Sequence, residues 1–220
     1  MVSTFMLLPS PLLGPAVWTP VAEELRARGV PTTVLDVPAG IASPQDVLSA
    51  FQAVLAAGVV LVPHSNSGYL APALAAASGA RATVFVDAAL PGASGTTVLA
   101  PPQFLTFLAG LADEDGMLPP WSRWWDDTKA LFPTSASQER VEREQGRLPL
   151  DYFRASVGVP EGWVDQPCAY LGFGEGYAEE QATARLRGWP TRSLEGRHLH
   201  MLHDPAGVAD AILALHAALV

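Results

Sequence analysis

The sequence is poor in cysteine, in lysine and in long apolar runs. Cys168 is the single cysteine among 220 residues, so no disulfide can form within the chain, and its apolar neighbours predict a buried thiol. Acidic residues outnumber basic ones, and the net charge of −9 disfavours nucleic acid and anionic membranes as partners. No stretch reaches the ~18 apolar residues of a membrane span. We therefore expect a cytoplasmic protein that acts without a membrane.

Strand-like and helix-like segments alternate along most of the chain. Buried-strand patterns are predicted near residues 4–8, 31–37, 59–62, 81–86, 167–172 and 191–194, with helices between most of them. This alternation predicts an α/β fold, namely a doubly wound, mostly parallel sheet of about six strands with helices on both faces. The length fits a single domain that spans residues 1–220.

The alternation breaks in the middle of the chain, where prolines, glycines and aromatic residues interrupt short helical pieces. We interpret this stretch, at about residues 90–165, as an inserted helical cap. Within it, Trp121, Trp124 and Trp125 stand at i, i+3 and i+4, which predicts one helical face. These tryptophans either pack on the core or form the roof of a pocket for a bulky apolar substrate.

The sequence around Ser65 predicts a buried strand, then a sharp turn, then an apolar helix. Residues 59–62 are apolar without alternation, as expected for a central parallel strand. This is the setting of a nucleophile elbow, in which Ser65 is the nucleophile and the Asn66 N–H donates to an oxyanion. Pro63 and Ser67 replace both glycines of the G-x-S-x-G pattern. A helix start capped by Ser65 or Ser67 is therefore the alternative interpretation.

A serine hydroxyl needs a base, and His198 is the best candidate. It follows the last predicted strand, and Pro205 of an Asp-Pro pair comes seven residues later. With this histidine turn and the serine elbow, the chain resembles the α/β-hydrolase superfamily outside the cap. The resemblance implies that the chain has the α/β-hydrolase core but lacks the first antiparallel hairpin of that core. His200 and His203 compete for the role of base. Three histidines this close together could also suggest a metal site, but we expect no metal because no acidic or cysteine partner has ligand spacing beside them.

The triad acid has two candidates under this resemblance. The superfamily usually places an aspartate in the loop after the penultimate strand, and Tyr177 occupies that position here. Glu175 lies two residues earlier in the same loop. Asp87 ends the strand after the elbow helix, from which some haloalkane dehalogenases and lipases supply their acid. We favour Asp87 because it leaves a rigid strand end beside the strand of Ser65.

The loop after the first strand departs furthest from the superfamily. Pro11 stands where a residue should donate the second oxyanion N–H, and proline has none. Either the Leu12 N–H or the Ser10 hydroxyl replaces it. Plant hydroxynitrile lyases, which the region of Trp18 and residues 36–40 resembles, carry a hydroxyl residue at that position. We also expect Pro11 to contact the substrate.

Together these patterns predict a serine hydrolase that needs no cofactor and cleaves an ester, thioester or related acyl bond of a hydrophobic small molecule. The alternative is a lyase, cyclase or isomerase of the same fold that works by general acid–base catalysis. A third interpretation is a binding protein without catalytic activity, because the fold alone does not decide the function. A homodimer is compatible with the sequence.

Overall fold

The computed structural model describes residues 3–220, so residues 1 and 2 of the expected domain lie outside the described part. In chain order the strands are β1 (Phe5–Leu8), β2 (Thr32–Val34), β3 (Val60–Ser65), β4 (Ala82–Ala88), β5 (Gly95–Val98), β6 (Ser156–Val159), β7 (Cys168–Phe173) and β8 (Thr191–Leu194). Six of them form a parallel sheet in the order β2-β1-β3-β4-β7-β8. The predicted α/β class and sheet are thereby confirmed.

Helices connect these strands and cover the sheet. They are α1 (Thr19–Ala27), α2 (Pro44–Val54), α3 (Ala71–Ser78), α4 (Pro102–Leu111), α5 (Ser135–Glu144), α6 (Leu150–Arg154), α7 (Ala178–Leu186), α8 (His200–His203) and α9 (Pro205–Ala217). Local chemistry explains where several begin. Ser43 and Asp46 form a capping box at α2, and the Asp204 carboxylate accepts the Gly207 N–H at 2.9 Å at the start of α9.

The strand order explains where the site lies. β1 lies between β2 and β3, so β2 is added on one side of β1 and the later strands of the sheet are added on the other side. A crevice forms at the carboxyl ends of such strands, where ligands bind in open α/β sheets. Residues 9–14 and Ser65 meet there. β3 and β4 are buried along their whole length, which accounts for the apolar runs at residues 60–63 and 84–86.

Residues 89–167, between β4 and β7, form a segment that we call the insertion. It holds α4, α5 and α6, which are short helices as the sequence predicts for this stretch. It also holds a two-stranded antiparallel sheet of β5 and β6, which the sequence analysis did not predict. The two strands are far apart in the chain, so no local hairpin signal marks them.

Cys168 opens β7 and is buried, as its neighbours predict. Burial raises the pKa of its thiol to about 12, which keeps the sulfur protonated and unreactive. Among residues 3–220, no helix has the length and apolar character needed to cross a bilayer.

Candidate active site

Ser65 ends β3 in a strained backbone conformation. Its φ of 56° and ψ of −129° are rare for a residue with a side chain. Strain of this kind costs about 1–3 kcal/mol and concentrates at functional sites. The 3₁₀ turn Asn66–Tyr69 and then α3 follow at once, so the strand-turn-helix arrangement is present. Ser65 makes no side-chain capping hydrogen bond, which removes the capping interpretation for this residue.

The elbow packs closely at Gly68 instead of at Ser67. A Cβ atom at Gly68 would lie 2.0 Å from the carbonyl oxygen of Ala89, so only glycine fits. The hydroxyl of Ser67 donates to the carbonyl oxygen of Pro9 at 2.6 Å. Ser67 therefore ties the elbow to the loop after β1. The closest approach lies one residue later than the G-x-S-x-G pattern requires, which explains how this turn tolerates a serine at the pattern's last position.

His198 and Asp87 form a close pair beside this elbow. The Nδ1 atom of His198 lies 2.7 Å from Oδ2 of Asp87, and the Asp87 side chain is only 1% exposed. Oδ1 of Asp87 accepts the N–H of Phe173 at 2.9 Å, so the carboxylate is held from two sides. A carboxylate on Nδ1 favours the tautomer that leaves Nε2 free to accept a proton.

Glu175, the other acid that the sequence left open, is exposed and makes no hydrogen bond to His198 within the described residues. The competing histidines also lie elsewhere. The ring of His200 packs edge-on against Phe173 at 5.4 Å, and Nε2 of His203 lies 3.1 Å from the carbonyl oxygen of Leu131. Within residues 3–220, no His, Cys, Asp and Glu side chains cluster as metal ligands would.

His64 supports His198 from the adjacent strand end. The two imidazole rings stack at 4.5 Å, and Nε2 of His64 donates to the carbonyl oxygen of His198 at 3.1 Å. Complete burial, together with the nearby His198, holds the pKa of His64 well below its ordinary value. His64 is therefore neutral, and it positions His198 without taking a proton itself.

Tyr177 contacts the nucleophile, which sequence reasoning missed. Its hydroxyl lies 3.4 Å from Oγ of Ser65, and its ring lies 5.4 Å from the ring of His198. No hydrogen bond joins Ser65 to His198 in the described part of the chain. Burial raises the pKa of the Tyr177 phenol, so this hydroxyl stays protonated. The only sequence signal was that Tyr177 occupies the position usual for the acid.

The loop after β1 presents Leu12 to the site. Leu12 lines the cavity above Ser65, and its N–H lies 3.4 Å from Oγ of Ser10. Ser10 is fully buried and is not part of that cavity wall. Pro11 lines a different cavity of about 220 Å³, with residues 37–41 and 144–148. Pro11 does not line the cavity over Ser65, so its expected contact with a substrate stays a prediction that this geometry does not favour.

Asn66 joins the elbow to the insertion. Its side-chain amide donates to the carbonyl oxygen of Leu99 at 3.1 Å, and its Oδ1 accepts the hydroxyl of Tyr152 at 3.0 Å. Its backbone N–H stands at the start of the 3₁₀ turn, where helical N–H groups lack intrahelical partners. The side chain is thus structural, while the backbone remains the predicted donor.

A cavity of about 490 Å³ opens over Ser65 and His198. The ring of Trp121 lies 5.8 Å from that of His198, while Trp125 is 43% exposed. The tryptophans share the cavity wall but no helical face, because only Trp121–Arg123 forms a short 3₁₀ turn. The lining residues are Leu12, Ser65, Asn66, Tyr69, Ala89, Leu99, Pro101, Phe104, Trp121, Trp124, Trp125, Leu131, Phe153, Gly176, Tyr177, Glu180 and His198.

The order of the strands in the sheet is that of the α/β-hydrolase fold, as are the elbow after β3 and the histidine after β8. Solved structures of that fold superpose on the chain. A variant of tomato methylketone synthase I complexed with beta-ketoheptanoate is 16% identical, with a TM-score of 0.81, covering 100% of this chain and 99% of that one. An extracellular α/β-hydrolase from a Paenibacillus species is also 16% identical, with a TM-score of 0.76, covering 97% and 98%.

A pyrethroid hydrolase is 18% identical, with a TM-score of 0.73, and the alignment covers 99% of this chain and 98% of that one. No protein-family model matches the sequence, and a search of curated proteins finds no match. The chain therefore has the α/β-hydrolase fold, and its similarity to these enzymes is a similarity of architecture.

Proposed function

We propose that the protein is a serine hydrolase that cleaves an ester, thioester or related acyl bond of a hydrophobic small molecule. The observation that carries this proposal is the 2.7 Å contact between His198 Nδ1 and Asp87 Oδ2, on the cavity that Ser65 also lines. An oriented histidine next to a strained serine is the arrangement that nucleophilic acyl transfer requires.

In this mechanism Ser65 Oγ attacks the carbonyl carbon while His198 Nε2 takes its proton. Asp87 stabilises the imidazolium that forms. The backbone N–H groups of Asn66 and Leu12 stabilise the negative oxygen of the tetrahedral intermediate. His198 then gives the proton to the leaving group, and the acyl-enzyme bond breaks as water attacks with His198 again as the base.

The Ser65 hydroxyl must turn away from Tyr177 for this attack. A rotation about χ1 moves a serine oxygen between staggered positions without backbone movement. Catalytic hydrogen bonds are often longer in the free enzyme and form when the substrate binds. The 3.4 Å contact between Ser65 and Tyr177 is consistent with such a resting state.

The apolar cavity supports the substrate class. Its volume of about 490 Å³ lies within the range of sites that bind small molecules. Aromatic rings from the insertion, including Trp121, Trp124 and Phe104, form much of its wall. Such a wall binds a bulky apolar acyl or alcohol group better than a polar one.

Proton transfer without an acyl-enzyme is the second candidate function, as in a lyase, cyclase or isomerase. Two observations favour it: Ser65 contacts Tyr177 instead of His198, and Pro11 carries no N–H. In that mechanism His198 moves the proton, and the hydroxyls of Ser65 and Tyr177 orient a substrate oxygen.

Labelling with a fluorophosphonate probe separates the two functions. The hydrolase proposal expects a covalent mass gain on the peptide that contains Ser65, lost in Ser65→Ala and in His198→Ala. Ser67→Ala is the matched control within the same turn and should still be labelled once its fold is verified by circular dichroism. Absence of labelling, together with substrate turnover that survives Ser65→Ala but not His198→Ala, would refute the hydrolase proposal in favour of the second function.

A further inference from the structure

The cavity wall holds a carboxyl group that the proposed mechanism does not use. Glu180 lies in the first turn of α7, three residues after Tyr177, so the two side chains project from one side of the helix start. Both line the cavity, together with Tyr69 from the turn after Ser65. We call Tyr69, Tyr177 and Glu180 the polar end of the cavity.

Glu180 is half-buried and has no cationic partner. No lysine or arginine side chain lies within ion-pairing distance of it among residues 3–220. Burial raises the pKa of its carboxyl group, and the negative charges of Glu179 and Asp87 act in the same direction. An unpaired carboxylate in a partly desolvated site is unfavourable until a positive or hydrogen-bond-donating group meets it.

The charge of the cavity wall is one-sided. None of the lining residues is a lysine or an arginine, and Glu180 is the one acidic residue among them. A ligand carboxylate would therefore enter without a cation to receive it. The polar end also lies close to the reacting centre, because the Tyr177 hydroxyl is 3.4 Å from Ser65 Oγ.

We propose that Glu180 is a specificity-determining residue that selects substrates with a protonated amino group and disfavours free carboxylates. The ammonium group would donate hydrogen bonds to the Glu180 carboxylate, and the rings of Tyr69 and Tyr177 would stabilise its positive charge. The apolar part of the molecule would lie against the aromatic residues of the insertion. This inference rests on the proposed function, because Glu180 lines the same cavity as Ser65. It narrows the proposed substrate class to acyl compounds that carry an amino group.

The test compares three ligands of equal chain length: octylammonium, 1-octanol and octanoate. None has an acyl bond that can be hydrolysed, so the result does not depend on turnover by the wild-type protein. Isothermal titration calorimetry at pH 8 should show octylammonium binding about tenfold or more tightly than 1-octanol, as expected for one charge-assisted hydrogen bond. Octanoate should bind most weakly.

Glu180→Gln should lower the affinity for octylammonium to that of 1-octanol. Glu179→Gln removes the exposed neighbouring charge, which does not line the cavity, and should keep the preference for the amine. Equal binding of octylammonium and 1-octanol by the wild-type protein would overturn the inference without any substitution. It would also be overturned if octanoate bound best, or if both variants lost the preference equally.

Failure of this inference is distinguishable from failure of the hydrolase proposal. Probe labelling of Ser65 reports acyl-transfer chemistry, whereas the three ligands report only the charge preference of the cavity. A protein that is labelled at Ser65 but binds all three ligands equally would keep the proposed function and lose the role assigned to Glu180.

Discussion

Asp87 and His198 are 111 positions apart in the chain and 2.7 Å apart at the carboxyl edge of the sheet. The contact arises because β4 ends beside β7, whose Phe173 N–H holds the second oxygen of the same carboxylate. Glu175, the other acid that the sequence left open, makes no such contact within the described residues. The contact of Asp87 with His198 gives the most direct test of the proposed triad.

Asp87→Asn should lower kcat/KM by about 10³- to 10⁴-fold, because the amide cannot hold the reactive tautomer of His198 or stabilise its imidazolium. Glu175→Gln is the matched control, and it should change the rate by about twofold at most because an exposed carboxylate interacts weakly. Steady-state hydrolysis of an activated ester measures both. Equally small effects in the two variants would remove Asp87 from the mechanism.

Ser10→Ala tests which group replaces the missing N–H of Pro11. The Ser10 hydroxyl is buried away from the cavity and contacts the Leu12 N–H, so its removal should leave kcat within about threefold. Loss of a true oxyanion donor costs about 10²- to 10³-fold in kcat. A fall of that size in Ser10→Ala, with the variant still folded, would assign the donor to Ser10 and not to Leu12.

Gly68→Ala should destabilise the fold severely, because its Cβ atom would lie 2.0 Å from the Ala89 carbonyl oxygen. We expect a loss of about 3 kcal/mol or more in the free energy of unfolding, as for overpacking that displaces backbone. Gly110→Ala in α4 has open space around its Cβ position and should be neutral or stabilising by up to about 1 kcal/mol. Urea denaturation compares the two, and similar stabilities would contradict the close approach at Gly68.

Stability should fall as the pH drops below about 6.5, and His64 should contribute to this loss. Its pKa is lowered in the folded protein, so only the unfolded chain takes up the proton in this range. The contribution is complete above the unfolded pKa and declines with falling pH by up to about 1.4 kcal/mol per pH unit. The pKa values of His200 and His216 are also lowered by burial and act with the same sign.

His64→Gln keeps a side-chain N–H for the His198 carbonyl oxygen and removes the titrating ring. Urea unfolding between pH 5.5 and 7.5 should give a shallower dependence on pH for this variant than for the wild-type protein. Identical slopes would show that His64 does not remain neutral in the fold.

Local patterns were sufficient to predict the strands of the main sheet. The apolar strand patterns and the strand-turn-helix pattern around Ser65 are properties of neighbours in the chain, and each led to an element at the expected place. The pairing of β5 with β6 had no such signal, because the two strands lie near opposite ends of the insertion and are not neighbours in the chain.

By itself the sequence determined an α/β chain with a serine elbow and a histidine before the last helix, because sterics and hydrophobic periodicity act over a few residues. Only the tertiary structure decided that Asp87 meets His198, that Tyr177 contacts Ser65 and that Pro11 faces another cavity. Those outcomes depend on which strands become neighbours and how their loops turn at the sheet edge. Such distances between remote side chains are set by packing of the whole fold.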